Sequence, residues 1–458
     1  MKKSVKWFLI ILFWLLVWEA AALAVGSALL LPGPVDVVAA LGRLVAETQF
    51  YTDVAATVGR CLLAMLLAVV FGFLLALASY RWQLVRDVLS LPVAFFKAVP
   101  VMAVAIYMLL LLTSGSVPVL VCWVMCFPIV YTNLLAGLDS MDAKLLEMAD
   151  VYGIRGSLRV RRVYAPMLYP HFKSAMSIIA GMSWKAVVTA EVLSVPKFSL
   201  GYELMNSKYY LNTDDLFAYV AVIIAVSVLF EKLIKKVLDK CAPHEYEGSR
   251  VGEGSAMVAA SAKNSHISAE LSHVYKSYGD KLVLDDFSLK LAEGKVTALM
   301  GPSGIGKTTV ARLLCGLEQP DAGEVRTSPE VAVLFQEDRL LPWLNVYDNL
   351  AIVGEVRTAG SRIWQALEAV GLQDEAWKLP TQLSGGMSHR LAMARALLYD
   401  AALVIADEPF RGLDEETRRQ VIENLWKPGV EGRTVLLITH DEEDAEDLAD
   451  LTVTIQGD

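Results

Sequence analysis

The sequence predicts two folds in one chain: an all-α membrane half of six helices, followed by an α/β half built around a phosphate-binding loop. Three observations carry this expectation. Of the 458 residues, 55% are hydrophobic, above the usual soluble balance, and the excess falls before residue 240. Charge divides at the same place: residues 1–240 hold 21 Lys/Arg against 15 Asp/Glu, whereas 241–458 hold 20 against 35. The third is Gly301-Pro302-Ser303-Gly304-Ile305-Gly306-Lys307-Thr308-Thr309, lying between a strand-like run at 296–300 and a helical pattern. That is the Gly-x4-Gly-Lys-Thr arrangement in the strand–loop–helix setting it requires.

Apolar runs long enough to cross a bilayer lie near 7–31, 54–80, 91–112, 117–137, 172–194 and 216–236. The first imitates a signal peptide, with Met1-Lys2-Lys3 ahead of an apolar core and small residues at 20–24. Its apolar stretch outlasts a signal core and further spans follow, so it is read as an uncleaved span. With the N-terminus inside, the inner segments carry fifteen Lys/Arg, from Lys2 through Arg81, Lys144 and Arg159 to Lys240, against Arg43, Lys197 and Lys208 outside, with Arg60 near a boundary. This positive-inside bias places the second half in the cytoplasm and predicts a multi-pass protein of the cytoplasmic membrane, bathed in lipid. Glu19, Lys97, Lys185 and Glu191 fall within spans, where ionisable groups are costly and often functional. They are candidates for contact with a substrate; alternatively Lys185 and Glu191 neutralise one another, or the lysines snorkel from span ends.

The five cysteines (Cys61, Cys122, Cys126, Cys241 and Cys315) contain no Cys-x-x-Cys pair and imply neither a disulfide nor a metal framework. The acidic half has no basic stripe, which argues against nucleic acid as a partner. Residues 241–265 are rich in Gly, Ser, Ala and Glu without periodicity. They read as a flexible tether whose ends would lie roughly 25–30 Å apart.

In the second half, the glycines of 301–309 let backbone N–H groups converge on phosphate oxygens at a helix N-terminus. Lys307 is the cation for the outer phosphates of ATP and Thr308 a hydroxyl ligand for Mg2+. The apolar run 403–406 reads as a buried parallel strand ending at Asp407-Glu408. Asp407 is the expected second Mg2+ ligand and Glu408 is placed to polarise an attacking water.

Beyond these, Leu383-Ser384-Gly385-Gly386-Met387 lies some 80 residues after the phosphate loop and just before Asp407-Glu408. This resembles the signature loop of the ABC ATPases, which closes over ATP held by a partner domain. The resemblance covers nearly all of 267–458 and implies an α/β P-loop NTPase with a RecA-like core and a helical signature subdomain. It also implies roles residue by residue. Tyr278 stacks on adenine, Gln336 contacts Mg2+ and water, and His440 contacts the γ-phosphate. Ser384, Gly385, Gly386 and Asp414 serve the nucleotide of the partner. Three departures stand out: Met387-Ser388-His389-Arg390 replaces a commoner Gln-rich run, Arg411-Gly412-Leu413-Asp414 keeps only the Leu-Asp end of its motif, and the short 323–330 segment suggests a trimmed antiparallel subdomain.

In the membrane half, Glu147-Met148-Ala149-Asp150-Val151-Tyr152-Gly153 and then Val163-Tyr164-Ala165-Pro166 resemble the coupling loop of permeases in binding-protein-dependent ABC importers. In that family the loop forms a short helix that docks on the ATPase. Leu31-Pro32-Gly33-Pro34, Lys97-Ala98-Val99-Pro100, Ala190-Glu191-Val192 and Leu200-Gly201-Tyr202 look like the nitrate/sulfonate/taurine type.

The resemblance therefore implies a permease domain at 1–240 with its coupling loop near 140–166, a linker at 241–265 and an ATP-binding domain at 266–458. The expected function is ATP-driven import of a small polar, possibly anionic solute by a fused half-transporter. Its expected partners are a second copy or a related fused chain, an extracytoplasmic solute-binding protein and the small-molecule substrate. A half-exporter is the first alternative, but it needs long cytoplasmic helical extensions. A membrane-anchored signalling ATPase is the second, but it needs a substantial outer domain.

Overall fold

The computed structural model describes residues 3–27, 29–242, 269–354 and 360–455, so the predicted 241–265 tether lies almost wholly outside the described residues. The chain forms two compact units, one of residues 1–141 and 167–242, the other of 142–166 and 243–458. The helices before the ATP-binding fold are α1 (Lys3–Val25), α2 (Pro34–Ala46), α3 (Thr48–Arg81), α4 (Gln83–Ala98), α5 (Val101–Leu111), α6 (Val117–Asp139), α7 (Ala143–Val151), α8 (Gly156–Arg159), α9 (Ala165–Ser194), α10 (Leu200–Tyr209) and α11 (Thr213–Cys241).

Five helical stretches among the described residues are long and apolar enough to span a membrane: Val5–Val25, Thr48–Arg81, Val117–Asp139, Gly156–Ser194 and Thr213–Cys241. The run expected as one span at 91–112 is instead α4 and α5, bent by 105° at their junction. Pro100 is the physical reason. It disfavours helical geometry at the preceding residue, and Val99 accordingly sits extended at φ −72°, ψ 129°.

The first unit is built on α3 against α6. Ala64, Ala68, Gly72 and Ala76, spaced four apart on α3, are all buried and pack with Phe127, Val130, Tyr131 and Leu134 of α6. A Cβ at Gly72 would lie 2.8 Å from a Val130 methyl, so only glycine permits this approach. One deep ion pair crosses between helices. Arg60 of α3 lies 2.6 Å from the fully buried Glu191 of α9, and Thr57 donates to the same carboxylate at 3.0 Å. Glu191 therefore neutralises Arg60 rather than Lys185, which is exposed.

The second unit has two sheets. Strands β1 (Glu270–Tyr278), β2 (Lys281–Lys290) and β4 (Ala322–Arg326) form an antiparallel sheet in the order β2-β1-β4. Strands β3 (Val296–Met300), β5 (Val331–Leu334), β6 (Leu403–Asp407), β7 (Thr434–Ile438) and β8 (Leu451–Thr454) form a parallel sheet in the order β5-β6-β7-β3-β8. Every residue of β5, β6 and β7 is buried, which is why these strands read as unbroken apolar runs. The helices are α12 (Lys307–Leu314), α13 (Val346–Gly354), α14 (Gly360–Ala369), α15 (Gly385–Leu398), α16 (Glu415–Val421), α17 (Lys427–Val430) and α18 (Glu442–Leu448). Residues 142–166, counted with the permease in the sequence reading, pack within this second unit.

Candidate functional site

Strand register brings the motifs together. In the parallel sheet Leu334 pairs with Ala406, Asp407 with Ile438 and Leu299 with Ile438. Gln336, Asp407-Glu408, His440 and the 301–309 loop therefore all follow the carboxyl ends of four adjacent strands, where sheets of this kind bind ligands. Tyr278, Val283, Ser303, Gly304, Gly306, Lys307, Thr308, Thr309, Gln336, Asp407 and Glu408 line one open cleft of about 290 Å³.

The loop depends on its glycines. Gly301 (φ +147°) and Gly306 (φ +113°) adopt conformations that other residues rarely take, and a Cβ on Gly301 would lie 2.8 Å from the Ile455 carbonyl. The Lys307 ammonium folds back to donate to the carbonyls of Gly301 (2.6 Å) and Pro302 (2.9 Å). This holds a cation over the start of α12, where backbone N–H groups are free for an anion.

Thr308 Oγ1 donates to Asp407 Oδ2 at 3.1 Å. Burial pushes the Asp407 carboxyl up to about 6, and neighbouring Glu408 adds to the shift while Thr308 and Lys307 oppose it. A carboxylate whose charge is disfavoured by burial is suited to a cation. The hydroxyl, carboxylate and amide oxygens of Thr308, Asp407 and Gln336 are the hard donors that Mg2+ prefers. Glu408 follows β6 at φ +52°, a strained value for a non-glycine residue. Its N–H donates to the Ile438 carbonyl at 2.8 Å, and its Oε1 lies 3.0 Å from His440 Nδ1. The His440 side chain is 68% exposed, so its partner reads as Glu408 rather than the core.

Ser384, Gly385, Gly386 and Asp414 do not line this cleft. Ser384 caps α15, accepting from the Met387 N–H at 3.3 Å, and Ser384 and Gly385 stand exposed at the N-terminus of that helix. Asp414 likewise caps α16, accepting from Thr417 N at 3.0 Å and Thr417 Oγ1 at 2.7 Å.

The comparisons with known proteins match this arrangement. Residues 284–411 match the family model of the ABC transporter. Residues 68–239 match that of the binding-protein-dependent transport system inner membrane component. The chain is 43% identical over 194 residues to the aliphatic sulfonates import ATP-binding protein SsuB 2 of Pseudomonas fluorescens, covering 40% of this chain and 70% of that protein. It is 40% identical over 197 residues to SsuB 1 of Xanthomonas axonopodis pv. citri, covering 40% and 78%. The chain belongs to the ABC transporter family. A dimeric, post-hydrolysis ATP-binding cassette bound to ADP and Pi, MJ0796, shares 28% identity with it over 41% of this chain and 94% of its own, with a TM-score of 0.38.

This ABC transporter chain is of importer type and carries permease and ATPase together: a multi-pass helical membrane region is followed by an ATP-binding, ATP-hydrolysing cassette. Within the second unit, α7 packs against β5 of the cassette. Glu147 binds two arginines, accepting from Arg312 of α12 at 2.8 and 3.1 Å and from Arg339 at 2.8 Å. The Arg312 hydrogen bond, more than that of Arg339, holds the Glu147 carboxyl below its ordinary value against the opposing effect of burial.

The Tyr152 hydroxyl donates to the Val333 carbonyl at 2.7 Å, with the Tyr399 ring edge-on at 5.2 Å and the Arg395 guanidinium 5.4 Å from its ring centre. Trp343 Nε1 donates to the Arg162 carbonyl at 2.8 Å. Sequence reasoning singled out Glu147 but missed Arg312, Arg339, Arg395 and the role of Tyr152. Their only local signals are an arginine on the helix after the phosphate loop and a tyrosine beside Gly153.

Proposed function

We propose that this chain is one half of an ATP-driven importer for a small anionic solute, working as a pair with a second copy or a related fused chain. The observation that carries this is the seat of residues 142–166 on the cassette, where Glu147 joins Arg312 and Arg339. A permease segment held by the ATPase fold is what conversion of hydrolysis into transport requires. Aliphatic sulfonates are the solute class to test first, because the similar cassettes are sulfonate importers by name. The reading divides the chain into a permease domain at 1–240, a tether at 241–265 and a cassette at 266–458, in the cytoplasmic membrane with the cassette inside. A separate extracytoplasmic binding protein delivers the solute.

In the cassette, Lys307 and the N–H groups of 301–309 bind the phosphates, and Tyr278 packs against the base. Thr308, Gln336 and Asp407 hold Mg2+, which when bound offsets phosphate charge. Glu408 takes up proton density from the attacking water, and His440 orients Glu408 and the terminal phosphate. Ser384, Gly385, Gly386 and Asp414 face the nucleotide of the opposite cassette, and the exposure of Ser384 and Gly385 supports this.

The test is reconstitution in liposomes with a candidate binding protein from the same cell. The expected result is hydrolysis stimulated several-fold by binding protein loaded with an alkanesulfonate, with sulfonate accumulating beyond the membrane. Hydrolysis indifferent to every loaded binding protein, with no solute moved, would overturn the importer reading in favour of a signalling ATPase.

A further inference from the structure

We propose that Glu318 is a positioning residue for the nucleotide site, holding the Tyr278 ring through a polar relay that begins at Glu147. The inference rests on the reading that Tyr278 packs against the base. The relay has four members. Glu147 uses both carboxylate oxygens on Arg312, at 2.8 and 3.1 Å. Arg312 turns its remaining nitrogen, Nε, to Glu318 Oε1 at 2.5 Å. The other oxygen of Glu318 accepts from the Tyr278 hydroxyl. Each carboxylate thus divides its acceptors between neighbours, and Arg312 spends all three nitrogens on the chain, so displacing one member leaves another unpaired.

The setting favours coupling. The side chains of Glu147, Arg312 and Glu318 are 27%, 26% and 17% exposed, shielded enough for charge-assisted bonds to resist screening. Arg312 lies on α12, the helix that also carries Lys307 and Thr308. Tyr278 sits at the end of β1 with its ring at the cleft. A ring in that place samples several rotamers unless its hydroxyl is tied down. A cation held in place also lies beside the ring. Lys276 Nζ lies 5.7 Å from the Tyr278 ring centre and donates to the Gln319 carbonyl at 2.9 Å and to Asp321 at 3.2 Å.

Fixing the ring before ATP arrives lowers the ordering cost of binding. Because Glu147 belongs to segment 142–166, its seating and nucleotide affinity become reciprocally linked. Double-variant binding measurements read that linkage directly.

The experiment uses the full chain in nanodiscs, in a Glu408→Gln background that prevents turnover, titrated with fluorescent methylanthraniloyl-ATP and Mg2+. Tyr278→Phe keeps the ring and removes only the hydroxyl. It and Glu318→Ala should each raise Kd about fivefold, the low end of typical couplings. Glu147→Gln should raise Kd when Glu318 is present and have no effect on top of Glu318→Ala. With Glu408 intact, Glu318→Ala should raise KM for ATP and leave kcat unchanged; a merely structural role would lower kcat and thermal stability together. Unchanged affinity in Tyr278→Phe and Glu318→Ala, beside weakened binding in Tyr278→Ala, overturns the relay and leaves the base-stacking reading intact. Unchanged affinity in Tyr278→Ala overturns the stacking reading itself. Additive effects of Glu147→Gln and Glu318→Ala overturn the link to segment 142–166.

Discussion

His440 Nδ1 stands 3.0 Å from Glu408 Oε1, although 32 residues separate them in sequence. The pairing arises because β6 and β7 run parallel with Asp407 beside Ile438. It joins the expected water-polarising carboxylate to the expected phosphate-sensing imidazole. Glu408→Gln should keep MgATP affinity within about twofold and lower kcat by roughly 10²-fold or more, as loss of general-base help implies. Single-turnover hydrolysis on the purified chain checks it, and undiminished turnover sinks the assignment.

Lys307 holds its ammonium on the Gly301 and Pro302 carbonyls. Lys307→Ala should abolish measurable ATP binding at micromolar nucleotide while leaving the thermal unfolding of the empty protein close to that of the wild type. Equilibrium binding with a radiolabelled nucleotide reads the first, and differential scanning fluorimetry the second.

His389 supplies a pH dependence. Its Nδ1 lies 2.8 Å from Asp338 and its Nε2 2.9 Å from the Pro409 carbonyl. Two acceptors satisfy two N–H donors only in the imidazolium. Burial opposes the charge, but the Asp338 hydrogen bond and its neighbours prevail, and the pKa is raised above the ordinary histidine value. A raised folded-state pKa contributes stability that is fully present below the ordinary value of about 6.5 and lost as pH rises through the folded one. Thermal unfolding of the wild type minus that of His389→Gln, measured from pH 6 to 9, should therefore fall with rising pH. A flat difference would disprove the charged pairing.

Arg60 and Glu191 form a pair in which Glu191 is wholly buried. Arg60→Met should destabilise the first unit by about 3–5 kcal/mol by stranding the carboxylate. Arg60→Met/Glu191→Gln should recover most of that loss. Chemical unfolding in detergent compares the two, and a double variant no better than the single one contradicts the account.

Gly72 faces Val130, where a Cβ would come within 2.8 Å of a methyl. Gly72→Val should cost about 1–3 kcal/mol as overpacking, and Gly72→Val/Val130→Ala should restore part of it. The same detergent unfolding measurement decides.

The nucleotide site was legible because its chemistry is local. A phosphate loop needs glycines at particular left-handed positions and a lysine at a particular step, so 301–309 announces itself in any context. Asp407-Glu408 and His440 were legible because buried parallel strands are continuous apolar runs whose ends can be counted. The break at Val99–Pro100 was not read: mean hydropathy registers an apolar run at 91–112 and is blind to the angle at which a proline interrupts it. Nor were the partners of Glu191 and Glu147. Charge patterning suggested Lys185, six residues away in sequence, whereas helix packing delivered Arg60 from 131 residues away.

The sequence by itself determined that a helical membrane half precedes an ATP-binding half, and which residues are the candidates for phosphate and metal, because periodicity, loop chemistry and charge bias act over short stretches of chain. Only the tertiary structure decided that Glu147, in a segment the resemblance already set on the ATPase, reaches both Arg312 and Arg339, and that Arg312 and Glu318 connect it to Tyr278. Apart from Arg312 and Glu318, six residues apart, those contacts join residues separated by 40 to 192 positions. Such pairings follow from strand register and helix packing, which no local pattern specifies.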